Sequence, residues 1–201
     1  MALMSSGLLE DLVESLRVLP GVGPKSAQRM ALHLLQRDRA GARRLGEALL
    51  AAMERIGNCE RCRIFSDRPL CRWCSDPARD AGKLCVVENP ADVLAIDRAT
   101  DYDGLFFLLL GHLSPLDGVG PRDLGLDVLQ ARLESGEVGE LTLATSPTLE
   151  GQATARYIVE LAAARDVRVL QIARGVPVGS ELEFADGGTL SVAFAQRTPV
   201  R

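Results

Sequence analysis

Aromatic side chains are scarce. One Trp, two Tyr and five Phe make up 4% of the 201 residues. That scarcity excludes a platform that holds single-stranded nucleic acid by stacking successive bases on rings. Long apolar runs are missing too. The longest, Leu105 to Leu110, is strand-sized, far short of the ~20 residues a helix needs to cross a bilayer, so no membrane partner is expected. The opening stretch MALMSSGLLEDLVESL has neither the basic start nor the apolar centre of a signal peptide, and a cytoplasmic location is expected. Histidine occurs only at positions 33 and 112. His33 sits among Ala31, Leu32, Leu34 and Leu35 and reads as a helix-face residue in the core or at its boundary, not as a ligand. His112 follows an apolar strand and has no identifiable partner in the sequence.

Cysteine is present in a pattern. Cys59-Glu60-Arg61-Cys62 and Cys71-Arg72-Trp73-Cys74 form two C-x-x-C turns separated by eight residues. Each such turn aims two thiolates at one ion, and two turns close a tetrahedral four-sulfur site, the geometry zinc prefers. With sulfur at every position, no place is left for water or substrate, so one structural Zn²⁺ per chain is expected. The alternative is a pair of disulfides in a secreted domain. A module this short buries little core of its own, and the metal must hold it folded. Cys85, in Leu84-Cys85-Val86-Val87, reads as a small buried strand residue.

The net charge of −4 hides an asymmetry. Residues 1–76 carry 12 Lys and Arg against 9 Asp and Glu, while residues 77–201 carry 11 against 18. A mildly basic front on an acidic body points to a local site for a polyanion.

Periodicity divides the chain. Leu8, Leu12, Leu16 and Leu19 recur at helical spacing and predict a helix over 7–18. Pro20-Gly-Val-Gly-Pro24 ends it; a second helix runs from Pro24 or Lys25 to about 35, and a third over 41–56. From about residue 82 strands and helices alternate. Strands are expected at 84–87, 105–110, 140–144 and 167–171, and helices at 91–98, 122–134 and 149–164. This alternation argues for a parallel sheet with crossover helices. In the tail, 181–184 and 189–194 read as strands joined by a turn at Asp186-Gly187-Gly188. The expected organisation is multi-domain α/β: a helical front over 1–57, a zinc module over 58–76, a parallel-sheet domain over 80–174 and a C-terminal β segment for oligomerisation over 175–201. A second Gly-Val-Gly-Pro, at 118–121, reads as a loop entering a helix.

Leu19-Pro-Gly21-Val-Gly23-Pro-Lys25-Ser-Ala27 resembles the helix-hairpin-helix motif. Gly21 and Gly23 let backbone approach a phosphate, and the start of the second helix points free amides at it. Lys25 and Arg29, one turn apart, add charge. Such contacts position a nucleic-acid backbone without reading bases, so binding should depend on salt and not on sequence. The alternative is a glycine-rich connector between packed helices. Arg37, Arg39, Arg43 and Arg44 extend the basic surface or form a solvated helix face.

Glu88 ends the first strand of the α/β region, and Thr145-Ser-Pro-Thr-Leu-Glu150-Gly151 follows a later one. This layout resembles a Toprim domain, in which a glutamate and a D-x-D pair hold Mg²⁺ for phosphodiester chemistry. Here the D-x-D positions are Ser146 and Thr148, whose neutral hydroxyls bind a hard cation weakly. Only Glu88 and Glu150 remain as acidic positions, so a Mg²⁺-dependent nuclease or topoisomerase-like enzyme is kept as the alternative reading. The full order, with Ser114-Pro-Leu-Asp-Gly-Val-Gly-Pro121, resembles the RecR family of bacterial recombination mediators over nearly the whole chain. That resemblance implies a non-enzymatic DNA-binding clamp in recombinational repair that acts with RecO and RecF to place RecA on single-stranded DNA. It also implies a ring-shaped homo-oligomer, often a tetramer, with Lys25 and Arg29 for DNA, the four cysteines for zinc, and Glu88 and Glu150 for partner contacts. The stretch from Gly175 resembles a Walker B-like segment, but no Walker A loop accompanies it and no ATPase activity is expected.

Overall fold

The computed structural model describes residues 7–197 and Pro199. Residues 1–6, 198, 200 and 201, the outer ends of the expected first and last segments, lie outside the described residues. The chain divides between Ile56 and Gly57 into two compact units.

The first unit is three helices: α1 (Gly7–Leu16), α2 (Pro24–Gln36) and α3 (Arg39–Arg55). Past Leu16 the expected first helix tightens into turns, with Arg17, Val18 and Leu19 bonding three residues back. Pro24 occupies the first turn of α2, where its missing N–H has no intrahelical partner to lose. Asp38 caps α3 by accepting from the Gly41 N–H at 2.7 Å. Ala27 and Ala31 are the only buried residues among those described in this unit. They lie one turn apart on α2, which packs against both neighbours. The small side chains allow close helix approach but supply little apolar burial.

The second unit opens with a two-stranded antiparallel ribbon, β1 (Gly57–Asn58) with β2 (Phe65–Ser66), that carries the first cysteine pair. Then come β3 (Asp80–Val87), α4 (Pro90–Ala99), β4 (Gly104–Leu108), α5 (Leu126–Glu134), β5 (Glu140–Ala144), α6 (Leu149–Ala162) and β6 (Arg168–Gln171). The four long strands form one parallel sheet in the order β4-β3-β5-β6. Alternate residues of β3 and β4 feed two cores, as the two-residue strand period requires. Leu84, Val86, Leu105 and Phe107 pack with Leu129 and Leu133 of α5 and Ile158 of α6. Cys85, Val87, Phe106 and Leu108 pack on the other face with Val93 of α4, Trp73 and the four cysteines. The cysteine module is therefore one of the layers covering the sheet.

Two boundaries differ from expectation. The strand expected over 105–110 stops at Leu108, because Leu110 takes a left-handed conformation (φ 63°) and Gly111 follows at φ 146°. The helix expected from Arg122 starts at Leu126, after turns that end at Gly125, itself left-handed at φ 64°. The tail is a correction. The expected β segment is a single 3₁₀ turn, Leu182–Phe184, followed by α7 (Gly187–Ala195). Asp186, expected in a hairpin turn, is the cap of α7. Its carboxylate accepts from the Thr189 N–H at 2.9 Å and from the Thr189 hydroxyl at 2.6 Å. Satisfying those donors favours a helix start where Leu190, Val192 and Phe194 alternate like a strand.

Candidate metal centre and nucleic-acid interface

The ribbon and the turn after it bring Cys59, Cys62, Cys71 and Cys74 together in the second core, 9% exposed at most. Their sulfurs all lie within 4.8 Å of one another. Cys62 Sγ is 3.4 Å from Cys71 Sγ, and the Cys71 N–H donates to Cys59 Sγ at 3.3 Å. A tetrahedron with metal–sulfur bonds of about 2.3 Å has edges of about 3.8 Å, so the donor set fits zinc in spacing as in chemistry. Local backbone fixes it. The Cys59 N–H donates to the Ile64 carbonyl at 2.8 Å, the Arg63 N–H to the Cys59 carbonyl at 2.8 Å, and Arg63 supplies the left-handed residue (φ 64°) that reverses the chain. The Leu108 N–H donates to the Cys62 carbonyl at 2.9 Å and ties the turn to β4. The close approach of Cys62 and Cys71 pulls the Cys71 thiol down and pushes the Cys62 thiol up. Cys85 lies in the same core, its thiol pushed up to about 12 by burial, and reads as packing.

The hairpin residues lie in the first unit. Gly21 is left-handed at φ 78°, a conformation that favours glycine. Gly23 caps α2 with no side-chain acceptor, so the first amides of α2 remain available. Lys25 and Arg29 are exposed on one face of α2. His33 and Arg37 continue that face at four-residue spacing, and a shallow groove of about 540 Å³ runs along the row. His33 is exposed, unlike the core-boundary residue its apolar neighbours imply; the spacing 25, 29, 33, 37 was the signal that could have placed it with the cations.

The Toprim-like positions sit at the carboxyl ends of the strands. Glu88 is 4% exposed, and its Oε1 accepts the Ser146 N–H at 3.0 Å. Its Oε2 is 3.9 Å from His112 Nδ1, a partner that the sequence separation concealed. Thr148 caps α6 by accepting from the Gly151 N–H at 3.1 Å. Glu150 is exposed in the first turn of α6. Among the described residues, the four cysteines are the sole group of three or more His, Cys, Asp or Glu placed to share an ion. Glu88 and Glu150 are not brought into such a group.

Comparison with known proteins agrees with this geometry. Residues 9–53 match the family described as RecR, helix-hairpin-helix, residues 82–173 match the Toprim domain, and residues 175–198 match the family described as RecR, C-terminal. The Recombination protein RecR of Methylococcus capsulatus is 57% identical over 192 residues, covering 96% of this chain and 97% of its own. The chain belongs to the RecR family. The RecR proteins of Saccharophagus degradans (52% identical; 98% of this chain, all of its own) and Xanthomonas axonopodis pv. citri (56%; 97% and 99%) are similar at like coverage. The C-terminal RecR match spans the segment in which the tail helix replaces the expected strands. No described helix is long and apolar enough to cross a membrane.

Proposed function

We propose that this chain is a cytoplasmic, non-enzymatic DNA-binding clamp and adaptor in recombinational repair, acting with RecO and RecF to help load RecA on single-stranded DNA. The observation that carries the DNA reading is the exposed row of Lys25 and Arg29 beside the uncapped start of α2. Among the described residues neither cation is tied up in an ion pair. Free amides and free cations at one helix start suit a phosphate backbone. The four cysteines hold one structural zinc, which adds folding free energy and no open coordination position. The non-enzymatic reading is supported by the Toprim-like loop: its hydroxyl positions serve as a cap and a loop residue, and its one buried acid is engaged by a backbone amide.

A closed ring, most simply a tetramer, is supported by apolar surface on both units. On α3, Leu49 and Met53 are 54% and 78% exposed, and in the tail Phe184 and Phe194 are 77% and 69% exposed. Apolar patches at two places on one chain suit contacts with more than one neighbouring copy, as a ring requires. Repetition of a few cations around such a ring raises avidity without new contacts. Glu88 and Glu150 are assigned to partner contacts.

The test is a DNA-binding titration across a salt series with light scattering, wild type against Lys25→Ala/Arg29→Ala. Loss of affinity is expected, with a log–log salt slope shallower by about 0.9 for each phosphate contact removed on duplex DNA. Unchanged affinity in low salt would sink the hairpin assignment. DNA cleavage in Mg²⁺ that Glu88→Ala abolishes would replace the adaptor by an enzyme.

A further inference from the structure

Arg132, on α5, is only 8% exposed. Its Nε and Nη2 are buried with no hydrogen-bond partner among the described residues. Its Nη1 makes one long contact, 3.4 Å, to the carbonyl oxygen of Arg61. Among the described residues no carboxylate pairs with it, and Glu137 is engaged by Arg61. A buried guanidinium without a counter-charge is strongly disfavoured, so a folded chain retains one only where an anion answers it.

The Arg61 carbonyl that Arg132 reaches belongs to the first cysteine turn, Cys59-Glu60-Arg61-Cys62. Burial and the neighbouring Arg61 both weaken the charged form of Arg132, whereas Cys74, Glu137 and Cys62 favour it. Four thiolates on a divalent cation leave two formal negative charges in a core that also contains Phe106 and Val87. Arg61 stands beside the same sulfurs, but its charge is shared with Glu137 at the surface. Arg132 keeps two buried donors unpartnered among the described residues.

We propose that Arg132 is the counter-ion of the metal–thiolate centre, its buried and unpartnered guanidinium answering the excess negative charge once all four cysteines are held as thiolates. It is a positioning residue: it neutralises excess charge in the core and fastens the cysteine module to α5. The inference rests on the reading of the cysteines as a metal site and explains the two orphaned nitrogens with no further group.

The experiment uses the full chain. Metal content of the wild type tests the metal reading, with one zinc per chain expected; a wild type that retains no metal overturns both. Transfer of zinc to a chromogenic chelator is then timed for the wild type, Arg132→Met and Arg132→Lys. Methionine fills the space without charge, and lysine restores the charge. Release from Arg132→Met is expected to be about 10- to 100-fold faster, the usual effect of losing an outer-shell partner, with Arg132→Lys close to wild type. A zinc-loaded wild type whose two variants release metal at one common rate would overturn the counter-ion role and leave the metal reading standing. If Arg132→Met does not fold, Arg132→Gln is timed in its place; release faster than from Arg132→Lys is expected, and release at the Arg132→Lys rate overturns the proposal.

Discussion

A Cβ at position 151 would lie 2.2 Å from the Ser146 carbonyl oxygen and 2.8 Å from Glu88 Oε1. The glycine is needed for close approach, since it lies in α6 and not at a left-handed position. Gly151→Ala is therefore expected to lower stability by about 1–3 kcal/mol, visible as a reduced Tm, because the obstacle is backbone and cannot rotate away. Asp97 makes a different residue-scale case. Burial alone would raise its carboxyl pKa, but the neighbouring Trp73 and the Arg79 guanidinium that pairs with it outweigh burial and hold it below the ordinary 3.8. A depressed folded-state pKa gives stability that is complete above the unfolded value and is lost as pH falls through the folded one. Asp97→Asn should flatten the acid side of a Tm-against-pH profile below about pH 5 and leave its shape at neutral pH unchanged. An unaltered acid limb would show that the Arg79 and Trp73 contacts do not stabilise the charged form.

At the scale of elements, α7 shows where sequence reading fails and why. Leu190, Val192 and Phe194 alternate, and Asp-Gly-Gly is common turn chemistry, so both local signals favour a hairpin. The structure uses the Asp186 carboxylate as a cap instead, and two donors of Thr189 settle the competition. Asp186→Ala is expected to cost about 0.5–2 kcal/mol of local helix stability. Faster amide exchange across 187–195 would report it, and unchanged protection there would count against the cap. The elements with redundant signals were legible: the hairpin glycines beside Pro24, the two C-x-x-C turns, and the strand–helix alternation. Contacts across long sequence separations were not. His112 meets Glu88 and Arg132 meets the cysteine turn only after the sheet has assembled, and no periodicity announces either. His33 was misplaced because adjacent positions in a helix point in different directions, and the buried Ala31 beside it in sequence does not share its face.

For the molecule as a whole, the cysteine module belongs to the sheet's own core. Trp73 meets Phe106 edge-on at 6.2 Å, and Phe106 meets Tyr102 at 5.3 Å. Arg72 lies over the Trp73 ring at 4.1 Å. Metal removal should consequently be felt beyond the module. Chelation at neutral pH is expected to lower amide protection in β3 and β4 as well as at residues 57–74, and to leave α1 to α3 unchanged. Loss confined to the module would show that the sheet holds its second face without the metal. The helical unit differs: Ala27 and Ala31 alone are buried among its described residues, so it encloses little core of its own. Its apolar α3 surface is consistent with the proposed assembly.

The 3.4 Å separation between the sulfurs of Cys62 and Cys71 has a chemical consequence under oxidising conditions. Once a bound cation leaves, two neighbouring thiols, one held toward its thiolate, stand ready for capture by peroxide and closure into a disulfide. Occupancy by the ion thus acts as a protecting group for the sulfur chemistry. Oxidant exposure and metal starvation would converge on one lesion, reversible by a thiol reductant only while the sulfurs have not passed beyond the sulfenic stage.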